Sequence, residues 1–139
     1  MIVEQYKPEY ENAVIELWEK CDLTRPWNYP GLDIARKMKV NPELFLVGQI
    51  DGKIVACAMG GYEGHRGWVY YLGVDPEYRR QGLGKQMMDA VETRLLEMGC
   101  PKINIQVRDG NTNALNFFSK IGYSTEDRIS LGKRLIEDG

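Results

Sequence analysis

The segment Arg79-Arg80-Gln81-Gly82-Leu83-Gly84-Lys85 has the residue types and spacing to bind an anion. It follows an apolar and aromatic run, Val69 to Val74, through a Val74-Asp75-Pro76-Glu77-Tyr78 lead-in, and a long amphipathic pattern starts directly after it. Strand, glycine-rich turn and helix start together present free backbone N–H groups to a negative ligand. The two glycines allow close approach of backbone to ligand, and the arginines add charge. A phosphate or pyrophosphate is the expected guest. The commoner phosphate loops do not fit: Gly84-Lys85 is followed by Gln86 and lacks the earlier glycine of a P-loop, and Met87 stands where a dinucleotide fingerprint needs its third glycine.

Those residues need elements to position them. Ile2 to Gln5 reads as a strand, and Tyr10, Val14, Leu17, Trp18 and Cys21 share one face of a helix starting near Pro8-Glu9. The loop Asp22 to Pro30 holds Pro26 and Pro30 and ends that helix. A short second helix is expected from Asp33, as its N-cap, to about Lys39. Strands Leu44 to Ile50 and Lys53 to Gly60 meet at Asp51-Gly52, a tight-hairpin signal. After the Glu63 to Gly67 turn comes the Trp68 to Val74 strand. Leu83, Met87, Val91 and Leu95 then line a helix that stops at Gly99-Cys100-Pro101. Lys102 to Arg108 reads as a strand with Ile103, Ile105 and Val107 on one face. Asn111 is placed to cap a helix carrying Ala114, Leu115, Phe118 and Ile121 and ending at Gly122. Tyr123 to about Leu135 is the expected last strand. The order βααβββαβαβ predicts a single α/β (α+β) domain over residues 1–139, built on a mixed, largely antiparallel sheet.

The totals exclude several classes. A chain of 139 residues that is 43% hydrophobic and 27% charged can bury a real core and is not disordered. A net charge of −2 gives no general reason to expect nucleic-acid binding. The longest apolar runs, Leu44 to Val47 and Ile54 to Met59, are too short to cross a bilayer. Met1 leads straight into Ile2-Val3 with no signal peptide in view, so a cytoplasmic protein is expected. Cys21, Cys57 and Cys100 form no Cys-x-x-Cys pair and read as small hydrophobes in a reducing compartment. With His65 the single histidine, no metal site is expected, and no Gly-x-Ser-x-Gly elbow points to a Ser-His-Asp enzyme.

A second signature, Asn111-Thr-Asn-Ala-Leu-Asn-Phe-Phe-Ser-Lys-Ile-Gly-Tyr123, accompanies the Arg79-x-x-Gly-x-Gly84 turn. Both motifs, in this order and separated by a helix and a strand, resemble the GNAT superfamily of N-acetyltransferases across nearly the whole chain. The Cys21 to Asn28 loop and the Gly60 to Gly67 segment are further similar to its small bacterial YpeA-like branch. The resemblance implies helices on both faces of the sheet and acetyl-CoA as acyl donor. In this family the strand before the Arg-x-x-Gly-x-Gly turn splays from the next one, and the pantetheine arm fills the gap. Leu72, Gly73 and Val74 would then offer backbone partners to pantetheine. Arg79, Arg80, Gln81, Gly82, Leu83, Gly84 and Lys85 would wrap the pyrophosphate. Asn111 would contact the pantetheine, with Phe117, Phe118 and Lys120 beside the thiol or adenine end.

The implied reaction is direct attack of a primary amine on the thioester in a ternary complex. The amine could belong to a protein N-terminus, a lysine or a small molecule. The Val74 N–H is the candidate oxyanion donor. Phe118 replaces the tyrosine that many members use to protonate the leaving thiolate, and Trp68 and Gln106 stand where a glutamate base is common. Glu63 and His65 are the remaining candidate bases. For the acceptor, Asp22 and Asn28 could hold an amine, Trp27 and Tyr29 could pack on its body, and Arg25 could bind an acidic group. Tyr70 and Tyr71 are expected to alternate, one facing the cleft and one the core. The rival expectation, prompted by Phe118 and the missing glutamate, is a non-catalytic acyl-CoA-binding or regulatory module. A monomer or homodimer that binds neither membrane nor nucleic acid is expected in either case.

Overall fold

The computed structural model describes residues 1–139. Strands β1 (Ile2–Gln5), β2 (Phe45–Ile50), β3 (Lys53–Tyr62) and β4 (Gly67–Val74) run antiparallel in sequence order, and β5 (Ile103–Asn104) joins β4 in parallel. The β2–β3 hairpin closes through Asp51 and Gly52, both at positive φ (50° and 77°), the turn form that suits the twist of paired strands. A parallel neighbour needs a crossover. Helix α3 (Leu83–Glu97) supplies it between β4 and β5. Helices α1 (Glu11–Lys20) and α2 (Pro30–Lys37) lie between β1 and β2 in the chain, and α4 (Thr112–Lys120) follows β5.

Alternation along the strands divides the core in two. Leu46, Ala56, Ala58 and Val69 meet Met87, Met88, Val91 and Leu95 of α3 on one face. Phe45, Val47, Cys57 and Met59 meet Val14, Leu17 and Trp18 of α1 and Ile34 of α2 on the other. Helices therefore cover both faces, as the element order implies. Phe117 and Phe118 of α4 join the α3 side. Trp18 is fully buried, and its Nε1–H donates to Cys57 Sγ at 3.2 Å, so its one polar group is satisfied.

Three elements depart from expectation. Helix α2 starts at Pro30, because proline at the first helical position already has the helical φ; Asp33 therefore lies in the first turn and is not the cap. β5 ends at Asn104, although the sequence suggests a strand to Arg108. The expected last strand, Tyr123 to Leu135, does not form. Tyr123 itself is anchored, its hydroxyl donating to Glu92 at 2.7 Å. Beyond it the chain touches the β5 region through side chains, with Lys102 and Asn104 on Glu126 and Gln106 on Ser130, and no backbone ladder is built. The C-terminal stretch is instead fastened to α2, where Arg36 donates twice to Asp138 at 2.9 and 2.6 Å.

Candidate active site

The β4–β5 ladder has only the rungs Gly67–Ile103 and Trp68–Asn104. From Val69 onward β4 keeps β3 on one side and has no strand on the other. Asp75 N–H donates to Val55 O at 2.8 Å, which makes Val55–Asp75 a hydrogen-bonded pair. Alternation then makes Val74, opposite Ala56, an outward-facing position: its N–H and C=O point to the open side. The Val74 oxygen is met there by Arg79 Nε at 3.1 Å and by the Cys21 thiol at 3.3 Å.

Helix α3 begins at the mouth of this opening. Its N-cap is Gly82, at φ 77°, with no side chain to cap the helix and no acidic residue in the first turn. The first N–H satisfied by the helix belongs to Gln86, which donates to Gly82 O at 3.1 Å, so the earlier ones are available to a ligand. A Cβ on Gly82 would meet nothing within 4 Å, whereas one on Gly84 would lie 3.1 Å from the Phe117 ring and 3.8 Å from Val74. Gly84 thus brings β4, α3 and α4 together, and Gly82 leaves free space in front of the helix. Arg79, Arg80 and Gln81 are exposed around that space, Arg80 at φ 65°; Leu83 is buried, and Lys85 is paired with Asp89 at 2.8 Å.

One acid anchors this turn from below. Asp75 is only 2% exposed, accepts the Glu77 N–H at 3.0 Å, and lies 3.5 Å from Lys20 of α1 and 3.7 Å from Lys53 of β3. Burial pushes its carboxyl pKa up, but the Glu77 N–H and the two ammoniums outweigh this and hold it below the ordinary carboxylate value. Asp-Pro-Glu is a turn signal that could have revealed the cap; the two lysines come from distant chain positions and could not be foreseen.

On the α1–α2 side, β4 carries a bulge. The register with β3 slips between Cys57–Gly73 and Met59–Tyr70, and Tyr71 takes φ 53°. The extra residue cancels the expected alternation. Tyr71 stacks on Trp18 at 3.8 Å and donates its hydroxyl to Asp33 at 2.6 Å, while Tyr70 stacks on Trp68 at 6.4 Å and remains 47% exposed. Val69 and Leu72 belong to the α3 side, so Trp68, Tyr70 and Tyr71 share the opposite face. Burial first, then the neighbouring Asp33, pushes the Tyr71 phenol pKa well up.

The 22–29 loop overhangs the same end of β4. A Cβ at Gly73 would come within 3.1 Å of both Cys21 and Leu23. Arg25 is spent inside the loop, on the Asp22 and Thr24 carbonyls at 2.7 and 2.8 Å, and the Asn28 N–H donates to Arg25 O at 2.9 Å. Asp22 and Trp27 are exposed, and the Arg108 guanidinium lies 5.7 Å over the Trp27 ring. Trp27 and Arg108 therefore bridge the loop and the chain following β5.

Other expected site residues are placed differently. Glu63 and His65 lie in the β3–β4 turn, at the far end of β4 from Val74; seven residue steps of strand put the two ends roughly 23 Å apart. The Glu63 carboxylate accepts the Arg66 and His65 N–H groups, which hold its pKa below the usual range. Neither side chain is positioned to serve chemistry near Val74. Asn111 Oδ1 accepts the Ala114 N–H at 3.1 Å and caps α4. Phe118 packs edge-on against Phe117 and Tyr123, and Lys120 is exposed in the last turn of α4. A cleft of about 1470 Å³ runs between β5 and the 124–130 stretch, past His65, Trp68 and Gln106, and does not include the α3 N-terminus. Residues missed in the sequence are Asp33, Asp75 and Arg108; each acts through a partner brought in by the fold.

The domain is thus a two-faced α/β sheet whose central strands part beside an uncapped, glycine-led helix start. The sequence matches the Acetyltransferase (GNAT) family over residues 2–123. The chain belongs to that family and is an acetyltransferase. It is 48% identical over 138 residues to an acetyltransferase of Pectobacterium atrosepticum, covering 99% of this chain and 98% of that one. Solved structures share the fold. Ard1 from Thermoplasma volcanium superposes with a TM-score of 0.76 at 22% identity, covering 88% of this chain and 82% of that chain. AAC(6')-Iy, in complex with a CoA-containing bisubstrate analogue, superposes at 0.79 with 15% identity over 97% and 98% of the two chains.

Proposed function

We propose that the protein transfers the acetyl group of acetyl-CoA to a primary amine by direct attack in a ternary complex. The observation that carries this reading is the unpaired outer side of β4, ending at Val74, next to the uncapped start of α3 at Gly82. An extended pantetheine arm suits the first, because its amides can pair with an open strand edge. A pyrophosphate suits the second. Gly82 and Gly84 leave the room that phosphate oxygens need, with Arg79 and Arg80 adding charge. The bisubstrate complex of the neighbouring AAC(6')-Iy lends this assignment support.

In this reading the outward Val74 N–H faces the thioester carbonyl and stabilises the developing oxyanion. The thiol, with a pKa of about 8.5 if it resembles a free cysteine, departs largely as thiolate, so Phe118 is tolerable. The acceptor approaches from the Trp68–Tyr70 face under the 22–29 loop. Free Cys21, Cys57 and Cys100 fit a cytoplasmic protein.

Two measurements test the proposal: thermal stabilisation by acetyl-CoA, and release of free thiol with a panel of small amines, N-terminally free peptides and N-blocked lysine peptides. Stabilisation together with amine-dependent release is expected. Absence of either overturns it.

A further inference from the structure

Tyr71 is the most constrained side chain on the acceptor face. It is a bulky aromatic residue at positive φ, a conformation that costs free energy and persists only when its surroundings hold it. Four contacts do so. Its ring stacks on Trp18 at 3.8 Å, its carbonyl accepts the Cys57 thiol at 3.1 Å, its hydroxyl donates to Asp33 Oδ2 at 2.6 Å, and its neighbours pair with β3 on either side. The strain sits immediately before Leu72-Gly73-Val74, the stretch assigned to the donor, whose Val74 faces the open side. The bulge also turns Tyr71 to the same face as Trp68 and Tyr70, so two aromatic stacks, Trp68–Tyr70 and Tyr71–Trp18, share that face.

Behind the Tyr71 hydroxyl is a carboxylate without a salt bridge. Asp33 is half-buried in the first turn of α2, where the uncapped helix start favours its negative charge. It makes no salt bridge. Arg36, one turn further on, is committed to Asp138 at 2.6 Å. Aromatic rings next to a carboxylate that no salt bridge occupies are the chemistry that receives an alkylammonium.

We propose that Tyr71 and Asp33 form the proton-accepting pair for the acceptor amine, Tyr71 touching the amine and Asp33 positioning it. The inference rests on the amine acetyltransferase reading above. The bound alkylammonium gives one N–H proton to Tyr71 Oη while the Tyr71 proton passes to Asp33 Oδ2, and the neutral amine nitrogen then bonds to the thioester carbonyl carbon. The C–S bond then breaks, sulfur leaves with the bond pair as thiolate, a second N–H proton passes to that thiolate or to solvent, and the proton on Asp33 leaves through Tyr71 to solvent. The products are the N-acetyl amine and CoA. The pair would take the role for which the sequence offered Glu63 and His65, with Trp68 and Gln106 standing at the usual glutamate places.

The test uses Tyr71→Phe, which keeps the ring stack, and Asp33→Asn, which keeps the shape. Each is assayed with the best alkylamine acceptor from the panel and with methoxyamine, which is already neutral at pH 7. Turnover of the alkylamine should fall by ~10²-fold or more, the usual contribution of a positioned acid or base. Methoxyamine should be acetylated at close to the wild-type rate, and the thermal shift with acetyl-CoA should be unchanged. Alkylamine turnover at the wild-type level in both variants overturns the pair's role while leaving the amine reading intact. Equal losses with both amines make the pair a structural tie and overturn it as well. A wild type inert to every amine overturns the amine reading and this inference together.

Discussion

Replacing Gly82 separates backbone, shape and charge at the start of α3. Gly82 has φ 77°, and a Cβ there would meet nothing within 4 Å. Gly82→Ala therefore costs conformational strain alone, about 1–2 kcal/mol. For a domain of this size that lowers the melting temperature by roughly 3–10 °C. Gly82→Glu adds a carboxylate in the space assigned to the pyrophosphate. A negative charge about 5 Å from a phosphate oxygen costs about 3 kcal/mol at an effective dielectric constant of about 20. Affinity for acetyl-CoA should then fall by roughly 10²-fold. Differential scanning fluorimetry reads this directly. Acetyl-CoA at about 100 times its dissociation constant stabilises the wild type by about 2.7 kcal/mol, and the same concentration should stabilise the variant by only about 0.4 kcal/mol. Gly82→Gln controls for shape and should keep most of the shift. A Glu variant that keeps the full acetyl-CoA shift, once its own lower baseline is subtracted, would refute the placement of the anion at this helix start.

Asp75→Asn leaves Lys20 and Lys53 without their shared carboxylate and should cost about 1–3 kcal/mol at neutral pH, read by denaturant unfolding. The folded pKa of Asp75 lies below the unfolded one, so its contribution is complete above about pH 4 and disappears as the pH falls through the folded value. The wild type should lose that increment on acidification and the Asn variant should not; parallel pH–stability curves would count against the anchor. Cys21→Ala should retain turnover, because the Cys21 thiol pKa is pushed up by burial and the transfer is direct; loss of turnover with acetyl-CoA binding intact would point to an acyl-cysteine. Glu63→Ala and His65→Ala should turn over near the wild-type rate, since their turn lies at the far end of β4; a large fall in kcat for either would contradict this.

Local signals were read correctly wherever the physics is local. Asp51-Gly52 closes the hairpin, the four-residue spacing from Leu83 to Leu95 makes α3, and Asn111 caps α4, each through atoms within a few residues. Helix α2 was misread because Asp33 resembles a cap, while Pro30 already meets the requirements of a first helical residue. Strand-like apolar residues after Tyr123 did not form a strand, since strand character depends on a partner and β5 offers only two residues. At the proposed site, the open helix start at Gly82 could be read from glycines and arginines at fixed spacing. The acceptor side could not. The bulge at Tyr71 exists only in the register between β3 and β4, and the Asp33 contact spans thirty-eight positions.

The parted strands also bear on how the protein behaves in solution. The outer side of β4 is a row of peptide groups in the middle of a sheet, the kind of edge that another extended chain can zip onto. Folded proteins usually shield such edges with charge, proline or a covering helix, and here Arg79 and Cys21 cover only the Val74 oxygen. In the proposed complex the cosubstrate itself becomes the shield. Depleted of it, the protein carries a self-complementary seam, so storage and crystallisation with CoA should suppress association that the ligand-free protein invites.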